Sequence, residues 1–301
     1  MNTLRKRIVQ KIPVYVLILP CLLLLLMMMV YPIYQTIRFS MSEVVLPSFD
    51  TRFAGIDNFT KILAKDEVPA VFKNTIIWVI GTIVLRFILG FWAALTFNVK
   101  LPGSIALRIV CMLPWTVPSI VSANLWRWIL QSDTGLLNGF LRASGLPGWA
   151  HNWLGDSKTA EFAVLLAYSW AGFPFVMLML LAGMQGISKE LYEAGKIDGA
   201  NTIQLFRYIT VPGLKSIMLV ILLLEVISGF NSFDMIMAMT GGGPGGATEI
   251  LGLFIYRIGF TSFDFGGASA ISFMLLLIVS VFFVFYGIVN TKAARKRGMA
   301  G

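Results

Sequence analysis

The sequence predicts an all-α, polytopic membrane protein with six transmembrane helices, and three observations predict it. Of 301 residues, 57% are hydrophobic and only 13% are charged, whereas a soluble domain carries about a quarter charged residues. Mean hydropathy is +0.80. The apolar residues also gather into six runs, at approximately 13–37, 73–98, 105–130, 161–184, 214–236 and 267–290. Each is close to the ~20 mainly apolar residues that a helix needs to cross a bilayer core.

The first run follows Arg5, Lys6, Arg7 and Lys11 and so resembles a signal peptide, until its length is counted. The 26 residues from Ile12 to Ile37 contain no charge, against ~7–15 for a signal core, so the run is read as a retained helix. The loop after it, Arg38 to Lys73, carries five acids and five bases together with Phe49, Phe53 and Phe59. That composition suits a small folded or interfacial cap better than a tether. The second helix holds Arg86 near its middle, and the fifth holds Glu225 midway along. A charge in hydrocarbon is expensive, so each side chain should face protein or water, either lining a path or pairing with the other or with backbone. The third helix contains Pro114 and Pro118, and the fourth contains Gly172 and Pro174, which open the backbone where a path can be lined.

Between helices three and four, residues 131–160 mix Gly135, Gly145, Pro147 and Gly148 with Trp149 and Trp153, as an amphipathic helix at the membrane interface does. Between helices five and six lies Thr240-Gly241-Gly242-Gly243-Pro244-Gly245-Gly246-Ala247-Thr248. It lacks both a Gly-Lys-Ser/Thr ending and a preceding strand, so it is not read as a phosphate loop.

Sidedness follows from Lys and Arg, which favour the cytoplasmic loops. With both termini inside, the cytoplasmic pieces hold fourteen: four in the N-terminal tail, then Lys100, Arg108, Lys189, Lys196, Arg207, Lys215, Lys292, Arg295, Lys296 and Arg297. The outer loops hold nine, although they are longer in total. This arrangement is the better fit and predicts cytoplasmic N- and C-termini.

Several chemistries are excluded. The net charge of +9 comes from basic residues beside apolar runs, a topology signal that gives no reason to expect nucleic acid as a partner. Cys21 and Cys111 sit inside apolar runs and form no framework of bridges. The single histidine, His151, lies in a loop, and no metal spacing or nucleophile motif is present, so neither a metal site nor a catalytic residue is expected. Candidate cargo contacts come from the outer end of helix five (Asn231 and Asp234, beside Ser228 and Ser232) and from helix three (Trp115, Asn124 and Trp128, beside Ser119 and Trp126). Aromatic faces with amide and hydroxyl groups are what a sugar needs, although membrane tryptophans also serve as interface anchors and small polar residues as helix packing.

Residues 191–212 form a polar island between two apolar segments. Ser188 can cap a first short helix, Glu190 and Glu193 favour its N-terminal half, and Asp198-Gly199 offers a stop. A second helix can start at Asn201 or Thr202, with Pro212 opening the next segment. The pair would present two apolar edges, Leu191, Ala194 and Ile197 on one side and Leu205, Phe206 and Ile209 on the other, which are too short to bury without a partner.

The island resembles the cytoplasmic EAA motif of ABC importer permeases: Glu-Ala-Ala, three residues, Gly, nine residues, Ile, one residue, Leu-Pro. The matching positions are Glu193, Ala194, Gly195, Gly199, Ile209, Val211 and Pro212, with Gly195 in place of the second alanine and Val211 in place of the leucine. Further stretches are similar to the sugar-type permeases: Leu113-Pro114-Trp115, Trp126-Arg127-Trp128, Gly135-Leu136-Leu137-Asn138, Ile197-Asp198-Gly199-Ala200 and Met239-Thr240-Gly241-Gly242-Gly243-Pro244.

The resemblance implies the type I ABC importer permease fold, with a core at 72–290, an EAA loop at about 185–214, a first helix and loop at 1–71 and a basic tail at 291–301. It implies that Glu193, Ala194, Gly195, Asp198, Gly199, Ala200, Ile209 and Pro212 couple to an ATPase. No cofactor would be bound by this chain, since ATP and Mg sit on two partner ATPase subunits. Further implied partners are a second homologous permease in a heterodimer, an extracytoplasmic solute-binding protein, a sugar and the lipid of the bacterial plasma (inner) membrane. Alternating access would move the cargo, and no enzyme activity is expected of the chain. Two alternatives stay open: an ion-gradient-driven secondary transporter using Arg86 and Glu225, and a permease of the same class for a non-sugar solute. A purely structural or receptor-like role is a third.

Overall fold

The computed structural model describes residues 16–99 and 103–298, with side chains through residue 288. Arg5, Lys6, Arg7, Lys11 and Lys100 lie outside the described residues, as do the side chains of Lys292, Arg295, Lys296 and Arg297. Five helices are long and apolar enough to cross a membrane, and a sharply bent pair makes a sixth span if counted as one.

In order, the helices are α1 (Val16–Ser40), α2 (Asp57–Leu63), α3 (Val68–Asn98), α4 (Ser104–Thr116), α5 (Ser119–Ile129) and α6 (Leu136–Ala143). They continue with α7 (Ala160–Gln185), α8 (Lys189–Ile197), α9 (Thr202–Phe230), α10 (Phe233–Met239), α11 (Leu251–Thr261) and α12 (Phe265–Gly298). The chain forms two compact units, one ending at Asp66 and including Ile255–Ile278, the other made of Glu67–Phe254 and the chain from Val279 on.

In the first unit, α1 exposes every side chain from Val16 to Tyr34, which suits a helix whose solvent is lipid. The expected cap after it is folded. Strands β1 (Ser42–Val45) and β2 (Asp50–Phe53) pair antiparallel with Ser42 opposite Phe53. The Asn58 amide lies 3.2, 3.1 and 2.8 Å from the carbonyls of Phe39, Ser40 and Ser42, tying the end of α1 to the hairpin. The edge-on ring pairs Phe49–Phe265 and Phe59–Phe273 complete the packing.

The second unit is built on α3 against α7. Buried small residues (Ala93 and Ala94 on α3, Ala163 and Ala167 on α7) let the helices approach closely, the device by which helices associate where lipid removes the hydrophobic drive. Trp78, 1% exposed, is the bulkiest of the fully buried side chains among the described residues and donates its indole N–H to Ser232 Oγ at 2.5 Å. The glycine loop is an ordered cap, since the Thr240 and Thr248 hydroxyls meet at 2.7 Å and Asn74 Nδ2 donates to the Gly246 carbonyl at 2.9 Å.

Two spans differ from expectation. The run expected as one helix at 105–130 is broken into α4 and α5, which meet at 98°. Val117 is extended and Pro118 sits at the start of α5, because proline biases the residue before it out of the helical region. The span expected at 214–236 begins at Thr202 and ends at Phe230. Pro212 does not open a new segment there. A five-residue π-turn, Phe206–Thr210, directly precedes its turn of helix, widening the backbone where a proline would otherwise clash with the preceding turn. The same device occurs in α1, where the π-turn Leu26–Val30 precedes Pro32 by the same interval.

Candidate functional site

Two places concentrate the polar chemistry. The first is the helix pair formed by α8 and the start of α9. Ser188 caps α8, its Oγ accepting the Glu190 N–H at 3.2 Å. At the other end the Ala200 N–H reaches the Gly195 carbonyl at 2.9 Å and the Gly199 N–H reaches Lys196 at 3.0 Å. That closing pattern needs a left-handed residue, and Gly199, at φ +80°, supplies it without a side-chain penalty. Asn201 then starts α9 with a capping box, accepting from Gln204 N at 2.9 Å while Gln204 Oε1 accepts from Asn201 N at 2.7 Å. Both sides of the turn are thereby capped locally.

The two helices pack on each other at Gly195. A Cβ there would lie 2.7 Å from Leu205 Cδ2 and 3.2 Å from Ile209 Cδ1, so the glycine brings α9 close to α8. Leu205, Phe206 and Ile209 are half-buried, with Phe206 edge-on to Phe91, and Tyr192 Oη meets Thr210 Oγ1 at 2.9 Å. One of the two expected apolar edges is therefore covered within the chain. The other is open: Leu191 and Ala194 are exposed and Ile197 is 86% exposed. Glu193 and Asp198 are exposed too, and Pro212 is embedded in α9.

The second place is a cavity of about 460 Å³ bordered by α3, α4, α7, α9 and the residues around the α4–α5 break. In its wall Arg86 and Glu225, 5% and 2% exposed, form an ion pair at 2.8 Å. Arg86 also donates to Ser228 Oγ at 3.2 Å and to the Tyr168 carbonyl at 3.0 Å, and its guanidinium lies 4.1 Å from the Tyr168 ring centre. Tyr168 Oη in turn donates to the Ser228 carbonyl at 2.9 Å. A Cβ on Gly172 would land on the guanidinium, so the glycine makes its berth. Arg86 Nε is buried with no partner among the described residues.

Trp115 and Ser119 border this cavity, with Phe175 and Tyr168 as further aromatic walls. Asn124, Trp128, Asn231 and Asp234 do not: all four are exposed, and Asn124 donates to Ile120 of its own helix at 3.0 Å. Tyr168 escaped the sequence reading. Its only signal was an aromatic hydroxyl inside an otherwise apolar run, one turn before Gly172. Among the described residues no cluster of three His, Cys, Asp or Glu side chains could hold a metal ion.

The chain matches the family described as binding-protein-dependent transport system inner membrane component over residues 86–295. It is 36% identical to the trehalose/maltose transport system permease protein of Thermococcus litoralis over 272 residues, covering 90% of this chain and 91% of that one. It is 30% identical to the sulfoquinovosyl glycerol transport system permease protein of Agrobacterium fabrum, covering 92% and 90%. In fold it is similar to a chain of a bacterial ABC transporter that imports the acidic polysaccharide alginate, with a TM-score of 0.84 at 22% identity over 97% of this chain and 99% of that one.

Proposed function

On the premise that the chain belongs to the family of binding-protein-dependent transport system inner membrane components, we propose that it is the membrane-spanning permease subunit of an ATP-driven importer for a sugar or sugar derivative. The relatives named for trehalose/maltose and for sulfoquinovosyl glycerol support the cargo class. A structure of the alginate transporter with a pentasaccharide-bound periplasmic protein, matched at a TM-score of 0.81 and 20% identity, shows the same fold.

The observation that carries the coupling assignment is the open apolar edge of Leu191, Ala194 and Ile197 on a helix pair whose hydrogen bonds are otherwise closed. A cytoplasmic ATPase would cover that edge, with Glu193 beside it and Gly199 holding the turn. Gly195, Asp198, Ala200, Ile209 and Pro212 would shape the pair. We place both termini and the α8–α9 turn in the cytoplasm on the Lys and Arg distribution. The cavity beside Trp115 and Tyr168 would be this chain's share of the translocation path. The exposed Asn124, Trp128, Asn231 and Asp234 would contribute only where a second, distinct permease closes against them. Two ATPases holding ATP and Mg, and a solute-binding protein outside, would complete the complex.

Reconstitution decides it. Vesicles holding the chain with its second permease, its ATPases and a sugar-loaded binding protein should accumulate sugar only with ATP inside. Uptake by this chain alone, driven by an ion gradient, would overturn the reading.

A further inference from the structure

The face of α8 opposite the open apolar edge points into a different cavity. We infer that this cavity is a binding site for the phosphate of an anionic phospholipid headgroup. Its volume is about 690 Å³, and Arg108, Lys189 and Lys196 line it with Ser104, Gln185 and Tyr192. Lys189, Tyr192 and Lys196 recur at helical spacing, so one face of α8 turns two cations inward, and α4 brings the third from across the cavity.

Among the described residues no carboxylate lines the cavity and none of the three cations has an ion-pair partner. Three like charges around one volume repel one another unless an anion sits among them. Two more features point the same way. Arg108 is fixed in the cavity wall by Nη2, which donates to the Phe97 carbonyl at 2.6 Å, so its charge is held in place there. Helix α4, 13 residues long, begins at Ser104 behind Gly103, which has no side chain to cap the first N–H groups, so the positive end of its dipole borders the same space.

Position selects the lipid as the source. The cavity is bounded by the last residues of the spanning helices α3 and α7, Asn98 and Gln185, and by the first of α4. Where spans end, headgroups begin, and basic pockets between helices at that level take anionic headgroups. Phe97, Val99, Met184 and Ile187 offer apolar wall for the start of the acyl chains. Because the bound phosphate would grip α8 through Lys189 and Lys196, headgroup occupancy would set the position of the helix whose other face is open to a partner.

The test uses the full chain in the complex with which it is expressed, placed in nanodiscs of phosphatidylcholine containing phosphatidylglycerol, with retained lipid counted by native mass spectrometry. Wild type should retain phosphatidylglycerol over phosphatidylcholine. The variant Lys189→Gln/Lys196→Gln should lower that retention by about fivefold per cation, roughly thirtyfold in all, and Lys189→Arg/Lys196→Arg should restore it. Equal retention of the two lipids by wild type, unchanged retention in the glutamine variant, or no rescue by arginine would each overturn the site. If millimolar inorganic phosphate displaces phosphatidylglycerol from wild type, the anion site stands but its source is soluble phosphate. Retention is read without transport, so the result does not depend on which cargo the complex carries.

Discussion

Arg86 and Glu225 are tolerated in an apolar bundle because each removes the other's charge, and the surrounding groups fit that one arrangement. Losing one partner strands a buried charge, at about 3–5 kcal/mol. Glu225→Gln should therefore lower the thermal stability of the purified complex strongly, while Arg86→Met/Glu225→Leu, which removes both charges, should recover most of it. Gly172→Ala tests the same berth from the far side: its Cβ would displace the guanidinium, for about 1–3 kcal/mol of overpacking. A melting curve for Glu225→Gln that matches wild type would show the pair to be dispensable. At the loop before α7 the chemistry is titratable. The Lys158 N–H bonds Asp156 Oδ1 at 2.9 Å and His151 Nε2 lies 3.0 Å from Oδ2, and these contacts, the backbone bond first, hold the Asp156 carboxyl below its ordinary value. A lowered value means that the folded loop binds protons less readily than the unfolded one. Its contribution is therefore complete above the ordinary carboxylate range and disappears as pH falls through the folded value. The protection of residues 151–160, read as amide exchange relative to the intrinsic rate at each pH, should fall on acidification in wild type, and Asp156→Asn should remove that dependence.

At the scale of elements, the α8–α9 turn was legible because its signals are local. Ser188, the Asp198-Gly199 stop and the Asn201 start act over three or four residues, and all three occur as read. Gly199→Asn should be tolerated, since Asn accepts φ > 0, while Gly199→Asp should abolish uptake and weaken ATPase co-purification, because it adds an anion where Glu193 and Asp198 already stand exposed. Normal uptake by Gly199→Asp would separate the turn from coupling. What sequence could not supply was which apolar edge would be covered, since Gly195 brings α9 onto α8 only in three dimensions. The break between α4 and α5 was half legible. Pro114 and Pro118 marked an opening in the backbone, but Pro114 is accommodated inside α4 and Pro118 turns the chain by 98°, and nothing local distinguishes a kink from a near-right-angle break. The exposed positions of Asn124, Trp128, Asn231 and Asp234 have the same origin, because residue type identifies chemistry that suits a sugar and the rotation of a helix decides whether it faces one.

For the whole molecule, the number of spans followed from hydropathy, while sidedness rests on a charge count whose terminal members fall outside the described residues. A direct measurement at two loops is therefore the strongest check on the arrangement. After replacement of Cys21 and Cys111 by alanine, single cysteines can be placed at Lys158, in the exposed loop before α7, and at Ile197, on the open edge of α8. If both termini are cytoplasmic, a membrane-impermeant maleimide added to intact cells should label Lys158→Cys and leave Ile197→Cys untouched until the membrane is opened. In opened membranes, Ile197→Cys should be protected when the ATPases are present and label several-fold faster after they are stripped, while Lys158→Cys responds to neither change. Reversed labelling in intact cells would invert the topology and remove the α8–α9 turn from any ATPase. Correct sidedness without protection would leave the permease in place and move the docking surface elsewhere on the chain. The two loops separate those outcomes because they report on opposite faces of the membrane, and only one of them presents an apolar edge that the chain itself leaves uncovered.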